Sequence, residues 1–120
     1  MKQQYLLDTC ICAYWLRDKQ NVRERINAVG FDNCCISEMT VAELIFFEAI
    51  KVLPVAPVFD LYAEEKARLA LAGTPTGDFD LLIGCTAVAE GMVMVTENVK
   101  DFQNIQGIQI ENWIERDKQE

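Results

Sequence analysis

Five short runs of branched apolar residues recur along the chain, and helix-like stretches separate most of them. The runs are QYLL, NCCIS, KVLPV, MVMVT and IQIENW. The helix-like stretches are ICAYWLRD, NVRERINAVG, TVAELIFFEAI, FDLYAEEKARLALAG and DLLIGCTAVAEG. Strands joined through helices cannot pair as tight hairpins, so they return to the sheet by crossovers and pair in parallel. MVMVT has no polar alternation, the pattern of a strand covered on both faces. DLLIGCTAVAEG is so uniformly apolar that it is expected to be buried on most sides. Gly30, Gly73 and Gly91 read as helix stops. The fold class expected is α/β, a central, mostly parallel sheet with helices on both faces.

With 120 residues the chain is one domain, expected to span 1–116 and to end in a polar tail at 117–120. One junction breaks the pattern. AELIFFEAI runs into KVLPV with no Gly, Asn, Asp or Pro to reverse the chain. A connection out of a helix into a parallel strand needs a few residues. Either the helix breaks early, near Phe47, or residues are absent relative to a complete domain.

Composition excludes several chemistries. No histidine is present, so Ser-His-Asp, Cys-His and His-metal mechanisms are unavailable within the chain. The five cysteines (Cys10, Cys12, Cys34, Cys35, Cys85) form no CxxC pair and have apolar neighbours. They read as buried reduced thiols of a cytoplasmic protein rather than a disulfide framework or zinc site. No apolar run approaches membrane-spanning length, and the N-terminus lacks a secretory pattern. The net charge of −8 suits a site that recruits cations and argues against nucleic-acid binding through a broad basic surface.

In parallel α/β sheets, ligands bind beyond the carboxyl ends of the strands. Four acids fall at such places: Asp8 after the first strand, Glu43 in the first turn of the helix after the second, Asp80 opening the apolar helix, and Asp101 after MVMVT. Each has an ordinary structural role open to it. Asp8 can cap a helix, Glu43 completes a T-x-x-E capping box with Thr40, Asp78 and Asp80 suit a first turn, and Asp101 can cap a turn. Gathered together, four carboxylates repel one another and favour a hard cation such as Mg²⁺ or Mn²⁺. Thr9, Ser37, Thr96 and Asn98 lie nearby in sequence as holders of water or phosphate oxygens.

The segments YLLDTCI, ISEMTVAELIF and GDFDLLIGCTAVAEGMVMVTENVKDFQNIQGIQIENW resemble PIN-domain proteins of the VapC toxin type. The likeness spans nearly the whole chain. It implies a PIN-like three-layer sandwich and an Mg²⁺-dependent endoribonuclease, the toxin of a toxin–antitoxin pair. By this resemblance the catalytic acids are Asp8, Glu43, Asp80 and Asp101. Asp8, Asp80 and Asp101 would hold metal, and Glu43 would do so directly or through water. Thr96 and Asn98 match polar supporting positions, while Asp78 stands where the family usually has a neutral residue and is a possible extra acid. Gly84-Cys85 replaces the commoner Ala-Ala. The resemblance also implies an RNA substrate, a small antitoxin partner, a homodimer and a cytoplasmic location. Family members usually carry a further helical stretch between AEL and VLPV, so the flagged junction is either a deletion or a segment missing from the sequence. Tyr14, Trp15 and Leu16 are apolar residues suited either to a partner contact or to the core.

If the junction near residues 47–51 is a deletion, the alternative is a PIN-like protein inactivated by it, and two further rivals remain. An aspartyl-phosphate phosphotransferase would favour a second acid two residues after the first and a phosphate-gripping lysine, whereas the first strand here ends D-T-C. A non-catalytic acidic α/β interaction module would use all four carboxylates as caps.

Overall fold

The computed structural model describes residues 2–43 and 50–115. Its centre is a five-stranded sheet of order β3-β2-β1-β4-β5. The strands are β1 (Tyr5–Leu7), β2 (Cys34–Ser37), β3 (Lys51–Leu53), β4 (Val93–Val95) and β5 (Gln109–Glu111). All four pairings are parallel. β1 sits at the centre, with Leu6 opposite Cys35 of β2 and Met94 of β4.

Among the described residues, six α-helices accompany the strands: α1 (Thr9–Leu16), α2 (Val22–Val29), α3 (Glu38–Glu43), α4 (Phe59–Leu71), α5 (Asp78–Ala89) and α6 (Val99–Phe102). Alternation along the strands divides the core in two. Leu6, Cys35, Leu53 and Met94 face one layer with Leu69 of α4 and Leu81, Ile83 and Cys85 of α5. Leu7, Cys34, Ile36 and Val95 face the other with Ile11 and Cys12 of α1 and Val22 and Ile26 of α2. The expected sandwich is thus observed. Its sheet is wholly rather than mostly parallel among the described strands.

Local signals act as expected at most boundaries. Gly30, Gly73 and Gly91 all take positive φ just beyond α2, α4 and α5. Burial of Ile83, Gly84, Cys85, Thr86 and Ala87 in succession explains why α5 reads as apolar on all sides. α1 has poor intrinsic helix formers and is held by burial of Ile11 and Cys12 and by its cap. Tyr14 and Trp15 pack against the α1–α2 core, whereas Leu16 is exposed.

Two expectations need correction. α3 begins at Glu38, and Ser37 caps it by accepting a hydrogen bond from the Met39 N–H (3.0 Å). Thr40 therefore lies inside the helix and is fully buried, so it is not the N-cap that a T-x-x-E box requires. Glu43 is the sixth residue of α3 rather than one of its first turn. The reason is register: Ser37 ends β2, and its hydroxyl claims the free N–H groups first. The second correction is α6, a four-residue helix that carries Asp101 and was not expected from the sequence. The proposed break near Phe47 and the 117–120 tail lie outside the described residues. No helix among the described residues is long and apolar enough to cross a membrane.

Candidate metal centre

The chain runs from β1 outward to β3, then returns to the other side of β1 as β4. The order therefore reverses between β1 and β4, and a crevice opens there at the carboxyl ends of the strands. Asp8 follows β1 and Thr96 follows β4, so these two residues flank the crevice.

Their side chains meet across it. The Thr96 hydroxyl donates to Asp8 Oδ2 at 2.7 Å, and the Thr9 backbone N–H donates to Oδ1 at 2.8 Å. The Cys10 thiol donates to Oδ2 at 3.5 Å. The Asp8 N–H is itself committed to the Val95 carbonyl. Asp8 is thus the N-cap of α1 as well as a site residue, with only 4 % of its surface exposed. Burial raises its pKa above the usual carboxylate range. The three donors oppose that rise, and the negative charge of Asp101 adds to it. Burial also pushes the Cys10 thiol up to about 11, so it stays protonated and able to donate at neutral pH.

The surrounding polar residues extend this network. Thr96 Oγ1 accepts the Asn98 N–H at 2.9 Å, which shapes the turn leading into α6. The Thr9 and Thr40 hydroxyls share a hydrogen bond at 3.1 Å, tying α3 to the start of α1. The Tyr14 hydroxyl donates to Glu97 Oε1 at 2.7 Å. Asp101 is exposed on α6 and Asp80 is half-buried in the first turn of α5. Glu43 closes the described part of α3. Asp78 is drawn away toward α4, where Tyr62 donates to it at 2.8 Å and Lys66 pairs with it at 2.9 Å. The Lys66 ammonium beside it holds its carboxyl below the usual range.

Thr9, Thr96 and Asn98 are therefore joined to Asp8 by direct or single-step hydrogen bonds. Ser37 serves as the α3 cap. Among the described residues, no three acids or thiols stand close enough to enclose an ion by themselves. A cavity of about 450 Å³ beside Asp101 is lined by Glu97, Asn98, Lys100 and Asn112. A larger one, about 570 Å³, lies at the opposite, amino ends of the strands among Gln3, Gln4 and Glu90. It holds none of the four acids, so size is no guide to the site.

Cys10 and Thr40 were missed as partners of the Asp8 region. Cys10 was legible, standing two residues after Asp8 in the first turn of α1; Thr40 was hidden by the capping-box pattern.

These features define a PIN-like α/β domain. The chain belongs to the VapC family of ribonucleases. It is 32% identical to the tRNA(fMet)-specific endonuclease VapC of Salmonella typhimurium, over 92% of this chain and 98% of that protein. Solved structures agree. The DNA-bound VapBC of Salmonella typhimurium matches with a TM-score of 0.80 at 30% identity, covering 92% of this chain and 98% of that one. VapBC2 of Rickettsia felis bound to a promoter DNA fragment matches with a TM-score of 0.83 at 27% identity, covering 92% and 99%. No family model matches the chain. The alignment to the Salmonella relative runs over 130 residues, more than the whole 120-residue chain supplies.

Proposed function

We propose that this protein is an endoribonuclease toxin that uses Mg²⁺ or Mn²⁺ at Asp8, Glu43, Asp80 and Asp101 and is restrained by a small antitoxin. The observation that carries the reading is Asp8. It is a buried carboxylate at the β1/β4 crevice, held by uncharged donors and in no ion pair among the described residues. A buried anion of this kind is unfavourable without a counter-charge.

The donor set fits a hard cation: the nearby acids offer oxygen, and no histidine competes. Mg²⁺ keeps several of its waters, which accords with acids that do not enclose it alone. When bound, such an ion lowers the pKa of a water and offsets charge on the leaving oxygen of a phosphodiester.

The protein's own work is orientation. Thr96 and the Thr9 N–H fix the two Asp8 oxygens, so the carboxylate presents its remaining lone pairs in a set direction. Asp80 and Asp101 belong to α5 and α6, and Glu43 to α3, and in this reading they supply the remaining carboxylates. Thr9 and Asn98 are suited to hold water or phosphate oxygens, whereas Ser37 is fully buried and committed to the α3 cap. With a net charge of −8, RNA has to be met locally, and Lys100 beside Asp101 supplies one positive charge there. A homodimer and a cytoplasmic location belong to the same reading.

The name of the Salmonella relative makes initiator tRNA the first substrate to try. Purified protein should cleave tRNA in Mg²⁺, lose cleavage in EDTA, and lose it again as Asp8→Asn. Cleavage that survives both treatments would overturn the reading.

A further inference from the structure

α4 carries none of the four proposed acids, yet its side chains grip the elements that carry two of them. Tyr62 and Lys66, one helical turn apart, both reach Asp78, two residues before Asp80 on α5. Glu65 and Arg68, the next pair along, reach the turn after α6. Glu65 Oε2 accepts the Gln106 N–H at 3.0 Å, and Arg68 donates to the Asn104 carbonyl at 2.7 Å. Arg68 also holds both oxygens of Glu65, at 2.8 and 2.9 Å. That turn begins within a few residues of Asp101.

Stability alone explains these tethers poorly. The Lys66–Asp78 pair is more than half exposed on both sides, and such pairs contribute little to folding. Glu65 is 5 % exposed, and apolar residues of similar size often serve a core as well as a buried ion pair. What the four contacts share is direction: each fixes α5 or the α6 turn relative to one rigid helix. Between them, Gly84 of α5 lies against Phe102 and Ile105, so the two elements are also packed directly together.

We propose that α4 is the positioning element of the metal site, with Tyr62–Lys66 setting the place of Asp80 and Glu65–Arg68 that of Asp101. The inference rests on the metal-site reading above. Mg²⁺ and Mn²⁺ sites tolerate little displacement of their ligands, so loosening either tether should weaken ion binding before it unfolds the domain.

The test is Mn²⁺ binding by electron paramagnetic resonance titration, well below the melting temperature, with circular dichroism as the check on folding. Three proteins are compared with the parent: the double variant Tyr62→Phe/Lys66→Gln, Glu65→Gln and Arg68→Lys. The surface double variant should melt with the parent yet bind Mn²⁺ about 3- to 10-fold more weakly, less than the roughly 10- to 100-fold lost when a residue bonded directly to a metal ligand is removed, because this tether acts two residues away from Asp80. Glu65→Gln should lose both affinity and melting temperature, and Arg68→Lys should recover part of the affinity. A purely structural role would lower melting temperature and leave the Mn²⁺ affinity of the folded protein unchanged. Unchanged affinity in all three variants overturns the proposal while the metal site stands. A parent protein that binds no Mn²⁺ overturns the metal-site reading and this inference together.

Discussion

Asp8 and Glu65 are 4 % and 5 % exposed, and each accepts three hydrogen bonds. The donors to Asp8 are a hydroxyl, a thiol and a backbone N–H, all uncharged. Two of the bonds to Glu65 come from the Arg68 guanidinium. The consequences run in opposite directions. Burial dominates at Asp8 and raises its pKa, whereas the Arg68 contact dominates at Glu65 and lowers it. Exposure and the number of hydrogen bonds are alike, but Asp8 lies deeper in the protein and has no counter-charge among the described residues, whereas Arg68 supplies one to Glu65. Under the proposed function, the difference makes Asp8 the acid that a bound cation would serve as counter-charge.

The largest effects should come from removing that group's charge. Asp8→Asn and Asp80→Asn are each expected to lower RNA cleavage at least about a hundredfold, because the loss falls on transition-state charge stabilisation. Single-turnover cleavage with saturating enzyme measures this. A variant within a few-fold of the parent would remove that acid from the mechanism. Glu65→Gln should break the comparison from the other side by leaving Arg68 without its partner. Breaking a buried pair typically costs about 3–5 kcal/mol, but the Arg68 side chain is 42 % exposed, so about 2 kcal/mol is expected by urea denaturation.

The two carboxylates should also part company with pH. Glu65, with its lowered pKa, adds stability above the unfolded carboxylate value, and that stability is lost as pH falls through its folded pKa. Asp8, with its raised pKa, favours the folded state most when protonated. That preference is full below the unfolded value and is lost as pH rises through the folded one. In EDTA at pH 7, Asp8→Asn should therefore melt higher than the parent, by a few degrees, or on the order of 1 kcal/mol for a domain of this size. With Mg²⁺ or Mn²⁺ added, the parent alone should gain melting temperature. A lower-melting Asp8→Asn in EDTA would mean that the carboxylate is satisfied as an anion.

How far this contrast was legible beforehand follows from the range of the interactions. Asp8 is a local feature: a strand end, a cap and a threonine after MVMVT are visible in sequence order, and the alternation of strands and helices fixed the layers. Glu65 looks like any polar residue on an amphipathic helix, and the turn that it and Arg68 hold, through Gln106 and Asn104 respectively, lies roughly forty residues away. Nothing in local pattern signals such a tether. The capping box failed for a related reason. Thr40-x-x-Glu43 satisfies the motif, but Ser37 stands three residues earlier and the end of β2 determines which cap is used. α6 escaped notice because four residues give too little periodicity to read.

The smallest predicted effect concerns the contact between the two elements that α4 tethers. At Gly84 an added Cβ would lie 2.5 Å from Ile105 Cδ1 and 3.2 Å from Phe102 Cδ1, so the alanine common in the family does not fit here unaltered. Two terms oppose each other in Gly84→Ala. The helix gains up to about 1 kcal/mol from the better helix former, while overpacking a filled core costs about 1–3 kcal/mol. The low end of that cost applies, because the closest atom is the tip of an isoleucine side chain that can turn aside. A net loss of about 0.5 kcal/mol is expected by urea denaturation. Because Phe102 follows Asp101 directly, Mn²⁺ affinity should fall slightly as well, with neither Asp8 nor Glu65 altered. A more stable Gly84→Ala protein would show that Ile105 moves freely, and that the approach of α5 to α6 is set by the tethers from α4 rather than by packing.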